Sequence, residues 1–349
     1  MIFASPLGGG VAKRRRGLRK RESKMNQLVI DEIQKQIDAD LIQGAVVRTN
    51  LSDETIALGI QAGSIPMTAE SRFDIASTGK VFTAAYIAML AFKGQIDLDA
   101  PFTTYLPNHA LGKNCTITVR DLAAHASGFD NSKPYCSADH AEFMQRLYAW
   151  MPVNPRRTTF IYSCGNFVLL GKIAEKVSGM DLDSLARKLL WEPLGMNHTT
   201  WNAPGNGPHE VQHFNPVREP GCHNDETCYL ANIPLGNGSA FSTADDMLLF
   251  LNDILQCNMI PSSCCELMQK PDFYDGDTIR SFGWDMTPAC IPAGLSERTI
   301  YHTGYTGQSI FVDPMTGICG AVFTSRKGNW DEAKNGRKRI METIIKTAG

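Results

Sequence analysis

No run of apolar residues in this chain is long enough to cross a bilayer, and the N-terminus carries no apolar core of the kind found in a signal peptide. The chain has ten cysteines, but none stands in a C-x-x-C pair. The adjacent Cys264 and Cys265 are a poor disulfide pair, and the chain is not a small secreted one. Together these absences point to a reducing, cytoplasmic setting with no membrane span. There is no internal repeat and no low-complexity tract. Charge is modest, at a net −2, but unevenly spread. Residues 1–24 hold eight Lys/Arg and one Glu, which leaves −9 for the remainder. A body of that sign does not suggest nucleic-acid binding. What remains is an ordinary globular composition, 43% hydrophobic over 349 residues, enough for two domains or one with two lobes.

Residues 1–24 show no apolar periodicity and read as a disordered basic arm, with Met25 a suitable start for the folded part. From Asn26 to Ile42, Val29, Ile33, Ile37 and Leu41 recur every four residues and predict an amphipathic helix. Ala45–Thr49 and Thr55–Gln61 read as strands. Helices are expected at Val81–Phe92, Val119–Ala126, Ser137–Trp150, Gly165–Ser178, Asp181–Leu190, near 243–256, at Pro261–Lys270 and at Arg337–Lys346. Residues 202–240, rich in Pro, Gly and Asn, read as long loops, and loops of that length are usually functional. Further strands are expected near Ser281–Met286, Arg298–His302, Ser309–Asp313 and Cys319–Ser325. Strands therefore sit at both ends of the chain with helices between. That order predicts an α+β fold: one antiparallel sheet built from both ends (about 25–92 and 241–349) and an inserted helical lobe (about 93–240).

The chemistry centres on Ser77-Thr-Gly-Lys80. The twelve residues after Lys80 carry no charge, so they predict a helix apolar on every side and buried in a domain. Ser77 and Lys80 then share a face at its N-terminus, where the helix dipole favours negative charge developing on oxygen. No G-x-S-x-G elbow surrounds Ser77, so a Ser-His-Asp hydrolase is not indicated. Three more stretches stand out: Thr118-Val-Arg-Asp-Leu-Ala-Ala-His-Ala-Ser-Gly-Phe129, Phe160-Ile-Tyr-Ser-Cys-Gly-Asn166 and Tyr301-His-Thr-Gly-Tyr-Thr-Gly307.

Together with Glu192-Pro-Leu-Gly-Met196, Gly238-Ser-Ala-Phe-Ser-Thr-Ala-Asp-Asp246 and Gly304–Pro314, these stretches resemble the serine β-lactamase and penicillin-binding-protein superfamily. The nearer likeness is to its class C-like branch of esterases, D-amino-acid peptidases and β-lactamases, over about residues 28–345. The resemblance implies a β-lactamase/transpeptidase-like fold and a nucleophile, Ser77, that forms an acyl-enzyme. Lys80 or Tyr162 would serve as base, each needing a lowered pKa, Lys80 by burial and Tyr162 by nearby positive charge. Backbone N–H groups of Ser77 and Tyr305 would form the oxyanion hole, and Thr303 and Gly304 the strand edge along which substrate lies. The resemblance implies no cofactor and no metal. The partner is a small ester, amide or short peptide.

Two departures tilt the reading toward an esterase or broad amidase. The family's Tyr-x-Asn is Tyr162-Ser-Cys164 here, and a thiol is a poor replacement for an amide. The Lys-Thr-Gly of true β-lactamases is His302-Thr-Gly304, so a permanent positive charge for a substrate carboxylate is missing. A D-amino-acid peptidase or carboxypeptidase, a β-lactamase and a catalytically inactive relative are the alternatives. His209-Glu-Val-Gln-His213 matches a zinc-hydrolase pattern, but its surrounding prolines and glycines predict a loop where that chemistry needs a helix. His125 reads as a structural cation at a helix C-terminus, His223 as a residue lining the pocket.

Overall fold

The computed structural model describes residues 8–212 and 218–348. Six strands form an antiparallel sheet in the order β3-β2-β1-β10-β9-β8. The N-terminal part supplies β1 (Ile42–Thr49), β2 (Ile56–Ala62) and β3 (Ile65–Pro66). Two short pairs lie outside it: β4 (Phe73–Asp74) with β5 (Phe241–Ser242), and β6 (Phe273–Asp275) with β7 (Thr278–Arg280). The C-terminal part supplies β8 (Ile300–Gly304), β9 (Gln308–Asp313) and β10 (Ile318–Arg326). The two ends of the chain meet where β1 pairs with β10, with Val46 opposite Phe323.

Helices cover both faces. On one, α1 (Gly8–Asp38) and the C-terminal helix Trp330–Ala348 bury Val29, Ile33, Ile340 and Ile344 against Val47, Phe311 and Val322 of the sheet. The basic segment that reads as a disordered arm is helical from Gly8 onward, continuous with the register that buries Met25 and Val29. Arg, Lys and Glu are good helix formers, so a seeded helix extends through them. At its other end α1 stops at Asp38, because Asp40 takes a left-handed backbone (φ 58°) and Ile42 already belongs to β1.

The opposite face packs the larger core, built around α2 (Lys80–Phe92). Every residue of α2 from Lys80 to Leu90 is buried, as its unbroken apolar composition requires. Gly94, in the left-handed region at φ 71°, follows the end of this helix. Around it stand α3 (Val119–Ala123), α4 (His140–Ala149), α5 (Cys164–Ser178), α6 (Leu182–Ala186), α7 (Glu192–Leu194), α8 (Glu226–Ala231), α9 (Ala244–Gln256) and α10 (Ser262–Gln269). Thr118 and Asp121 form the expected capping box at α3.

The expected strand over 281–286 does not form. Gly283 turns the backbone at φ 86° and its N–H bonds Ala123 O, so only Asp285 makes strand-like bridges, to Arg280 and Tyr301. Among the described residues no helix is long and apolar enough to cross a membrane.

Candidate active site

The segment carrying Ser77 is clamped before α2 begins. Phe73 and Asp74 pair with β5, and Ile75 N–H bonds Ala240 O at 2.8 Å. Ala76 takes a positive φ of 45°, a conformation that costs a non-glycine residue of order 1 kcal/mol or more and persists only where the surroundings impose it. Here they do. Its N–H donates to Asp74 Oδ1 at 2.8 Å and its carbonyl accepts from Ser239 N–H at 3.0 Å. Two glycines allow this close approach: a Cβ on Gly238 would lie 2.4 Å from Ala76 O, and one on Gly304 2.5 Å from Ile75 O. The loop after α8 and the edge strand β8 thus press on the turn from two sides. Ser77 sits in the 3-10 turn Ala76–Gly79 that runs into α2.

Lys80 Nζ lies 2.9 Å from Ser77 Oγ and also donates to Asn237 O. The Cys164 Sγ is 3.6 Å away, and the ring of Tyr162 is centred at 5.2 Å. Lys80 is fully buried. Burial alone disfavours its charge, but the negative charge available at Cys164 and Tyr162, with that of Asp225, outweighs burial and holds the ammonium above the usual lysine range. This direction is the reverse of the lowering by burial expected from the sequence, and in this geometry Lys80 Nζ donates to Ser77 Oγ and Asn237 O.

Tyr162 reaches the site from the extended approach to α5. Cys164 is the first residue of that helix, its N–H capped by Asn131 Oδ1 at 2.9 Å. His125 supports this approach. It sits in a left-handed conformation (φ 54°), its ring 4.5 Å from that of Tyr162, and its Nδ1 accepts from Ser163 N–H at 3.2 Å. Burial, then the charges of Arg280 and Lys80, push its pKa well below the ordinary histidine value. His125 is thus neutral, not the helix-terminal cation expected from its sequence position.

Two cavities open on Ser77, and Tyr162 and Tyr305 line both. The first, of about 290 Å³, is walled by Phe160, Arg280, Asp285, His302, Thr303 and Trp330 as well. The second, of about 330 Å³, is polar, with Cys164, Asn131, Lys133, Asp225 and Asn237 on its walls. Lys133 and Asp225 pair at 2.6 Å. Cys164 and His302 therefore fall on opposite sides of the nucleophile.

His302 is buried and its Nδ1 contacts Thr303 O at 3.0 Å. Burial and then the charges of Arg280 and Lys80 hold it well below the usual histidine pKa, so it presents no cation. Arg280 is also buried, bonded through Nη1 to Asp285 at 3.0 Å, with Nε and Nη2 unpartnered.

Thr303 and Gly304 follow His302 on β8, whose partner is β9. Sequence reasoning passed over Asn237, Asp225, Arg280 and Trp330. Asn237 acts on Lys80 through a backbone carbonyl, which leaves no mark on residue type. His223 does not line either cavity; it is buried, contacts Ser239 O at 2.9 Å, and burial lowers its pKa to about 4. In the zinc-like pattern, Glu210 lies in a loop and is bonded by Arg72 Nε at 2.8 Å, while His213 falls outside the described residues.

A family model described as Beta-lactamase matches residues 30–343. The N-acetylmuramyl-L-alanine amidase of Bacillus subtilis (strain 168) is 24% identical over 315 residues, covering 75% of this chain and 69% of that protein. A solved class C beta lactamase superposes with a TM-score of 0.78 at 22% identity, over 93% of this chain and 98% of its own. EstCE1, a hydrolase with promiscuous acyltransferase activity, superposes with a TM-score of 0.74 at 20% identity, over 95% of this chain and 98% of its own. At these identities the structural matches establish the fold.

Proposed function

The chain belongs to the beta-lactamase family, and from that premise we propose that it is a serine hydrolase that cleaves an ester through an acyl-enzyme on Ser77. The observation that carries this reading is the 2.9 Å contact between Lys80 Nζ and Ser77 Oγ at the junction of two cavities that Tyr162 also lines.

A serine hydroxyl needs a base, and Lys80, held as an ammonium, is the wrong protonation state for one. Tyr162, as phenolate, takes the Ser77 proton while Oγ bonds the acyl carbon. The carbonyl oxygen becomes an alkoxide held by the N–H groups of Ser77 and Tyr305. Loss of one such donor typically costs about 3–4 kcal/mol. The carbon–oxygen bond to the leaving group then breaks, and the proton passes from Tyr162 to the departing alcohol. Water repeats the sequence on the acyl-enzyme, giving the acid and restoring Ser77.

Two features favour ester over β-lactam or D-peptide. Cys164 offers Lys80 a thiol where a carboxamide would offer both a donor and an acceptor. His302 is neutral, so position 302 itself offers no cation for a substrate carboxylate. Amide cleavage is the second reading, favoured by the polar cavity around Asn131 and Asn237 and by the amidase relative. It includes D-amino-acid peptidase, carboxypeptidase and β-lactamase activity. A catalytically inactive binding protein is the non-enzyme alternative, against which the contact between Lys80 and Ser77 weighs. Ten free thiols fit a reducing compartment, which is part of this proposal.

Hydrolysis of p-nitrophenyl esters tests the assignment. Ser77→Ala and Tyr162→Phe are each expected to lower kcat/KM by at least about a hundredfold. Near wild-type rates in either variant would reject the role given to that residue.

A further inference from the structure

The cavity on the Arg280 side of Ser77 has a wall that the hydrolytic chemistry does not require. Tyr305 is 49% exposed there, a large ring half in water beside the nucleophile. Its neighbours fix it in place. Trp330 stacks on it with ring centres 5.6 Å apart and planes 22° from parallel. The Arg326 guanidinium stands 4.4 Å from the Tyr305 ring and 5.5 Å from that of Trp330, and Arg337 lies 5.5 Å from Trp330. Arg337 is itself fully buried and bonded through Nε to Ser309 Oγ at 2.9 Å, so the stack rests on a fixed support.

We propose that the substrate carries a flat, uncharged aromatic group next to its scissile bond, and that the Tyr305–Trp330 stack is the wall on which this group docks. The inference rests on the hydrolase reading and narrows it to a substrate class. Rings fixed in advance lose little freedom when a ligand stacks on them. Phe160 and Tyr162 bring two more rings to the same cavity. At about 290 Å³ the space is at the lower end for small-molecule sites, fitting a ring rather than a long chain. Charge in the cavity is balanced: Arg280 is paired through Nη1 with Asp285 at 3.0 Å, its Nε and Nη2 have no hydrogen-bond partner among the described residues, and His302 is uncharged. A neutral ring lies against this ion pair without adding a net charge to it, which is why the carboxylate-bearing ester is the competing case in the test below.

Trp330 is the specificity-determining residue in this account. It opens the C-terminal helix and belongs to none of the sequence motifs around Ser77. Two matched ester pairs test it: methyl phenylacetate against methyl cyclohexylacetate, and benzyl acetate against cyclohexylmethyl acetate. The aromatic member of at least one pair is expected to have a kcat/KM about two- to tenfold higher, the range of a single aromatic contact. Trp330→Leu should bring that ratio to about one, and Trp330→Phe should keep it.

A second measurement does not depend on turnover. Saturation-transfer NMR on Ser77→Ala protein should show contacts to phenol exceeding those to cyclohexanol, and Trp330→Leu in that background should remove the difference. If no ester is cleaved but the phenol contacts behave in this way, the hydrolase reading fails and the aromatic wall stands. Equal rates within both pairs, or a preference unchanged in Trp330→Leu, would overturn the proposal. Preference for a carboxylate-bearing ester over its neutral aromatic counterpart would also overturn it and assign the cavity to Arg280.

Discussion

Asp74 shows how much of the site's behaviour sits in residues that never touch a substrate. Its two carboxylate oxygens accept from Ala76 N–H at 2.8 Å and Asn224 N–H at 2.6 Å, so it ties the strained turn before Ser77 to the loop before α8. Burial raises its pKa to about 7, overriding the two N–H donors that favour the anion. The sign of the effect follows. Between the ordinary value of 3.8 and about 7, the folded protein holds a proton that the unfolded chain has released. Stability from this source is complete below that window and falls as pH rises through it. Urea unfolding of wild type and Asp74→Asn at about pH 5 and about pH 8 should show a larger loss in the wild type, the other titrating groups being shared. Parallel losses would reject the assignment. At this scale Ser77 and Lys80 were legible because both lie within one helical turn of sequence. Tyr162 needed the family likeness, since nothing local separates it from an ordinary aromatic at a helix entry. Arg280 and Trp330 were not legible at all: each acquires its role only when the chain brings β7 and the C-terminal helix to the nucleophile.

The elements that hold the turn explain why the family's glycines matter physically. Gly304 lets β8 lie against Ile75, and Gly238 lets the loop lie against Ala76. Gly304→Ala would set a Cβ 2.5 Å from the carbonyl of Ile75 and 2.6 Å from Gln308 Oε1. The strand has to shift, at a cost of about 1–3 kcal/mol. Because β8 also carries Thr303 toward the cavity and leads into Tyr305, activity should fall with stability. Denaturant unfolding and ester hydrolysis on the same preparation check both, and an unchanged midpoint with unchanged rate would contradict the clamp. Among elements, the apolar strands of the main sheet and the charge-free α2 were readable from their residue types, because burial on both faces calls for apolar runs. The strand expected over 281–286 failed for a reason invisible in composition. Gly283 turns the backbone there at φ 86°, and a Cβ at that position would lie only 2.3 Å from the Ala84 Cβ of α2. The N-terminal boundary failed for another: charge content argued for disorder, while continuity with the buried face of α1 carries the helix through to Gly8.

At the scale of the whole molecule, the site exists only where distant parts of the chain converge. The sheet joins β1 to β10, and α2 lies in the core on its far side. Lys80 of α2, Tyr162 before α5, Asn237 of the long loop and Tyr305 after β8 surround a single serine. Neither end of the chain nor the middle contains enough of these groups to activate it. Ser77 should therefore be reactive in the folded protein and ordinary in the unfolded chain. Covalent labelling with a fluorophosphonate followed by peptide mass spectrometry measures this most directly. One adduct per chain is expected, on Ser77, in native protein, and none after unfolding in urea. Native protein that takes no label on Ser77, or takes it on another serine in preference, would contradict the account.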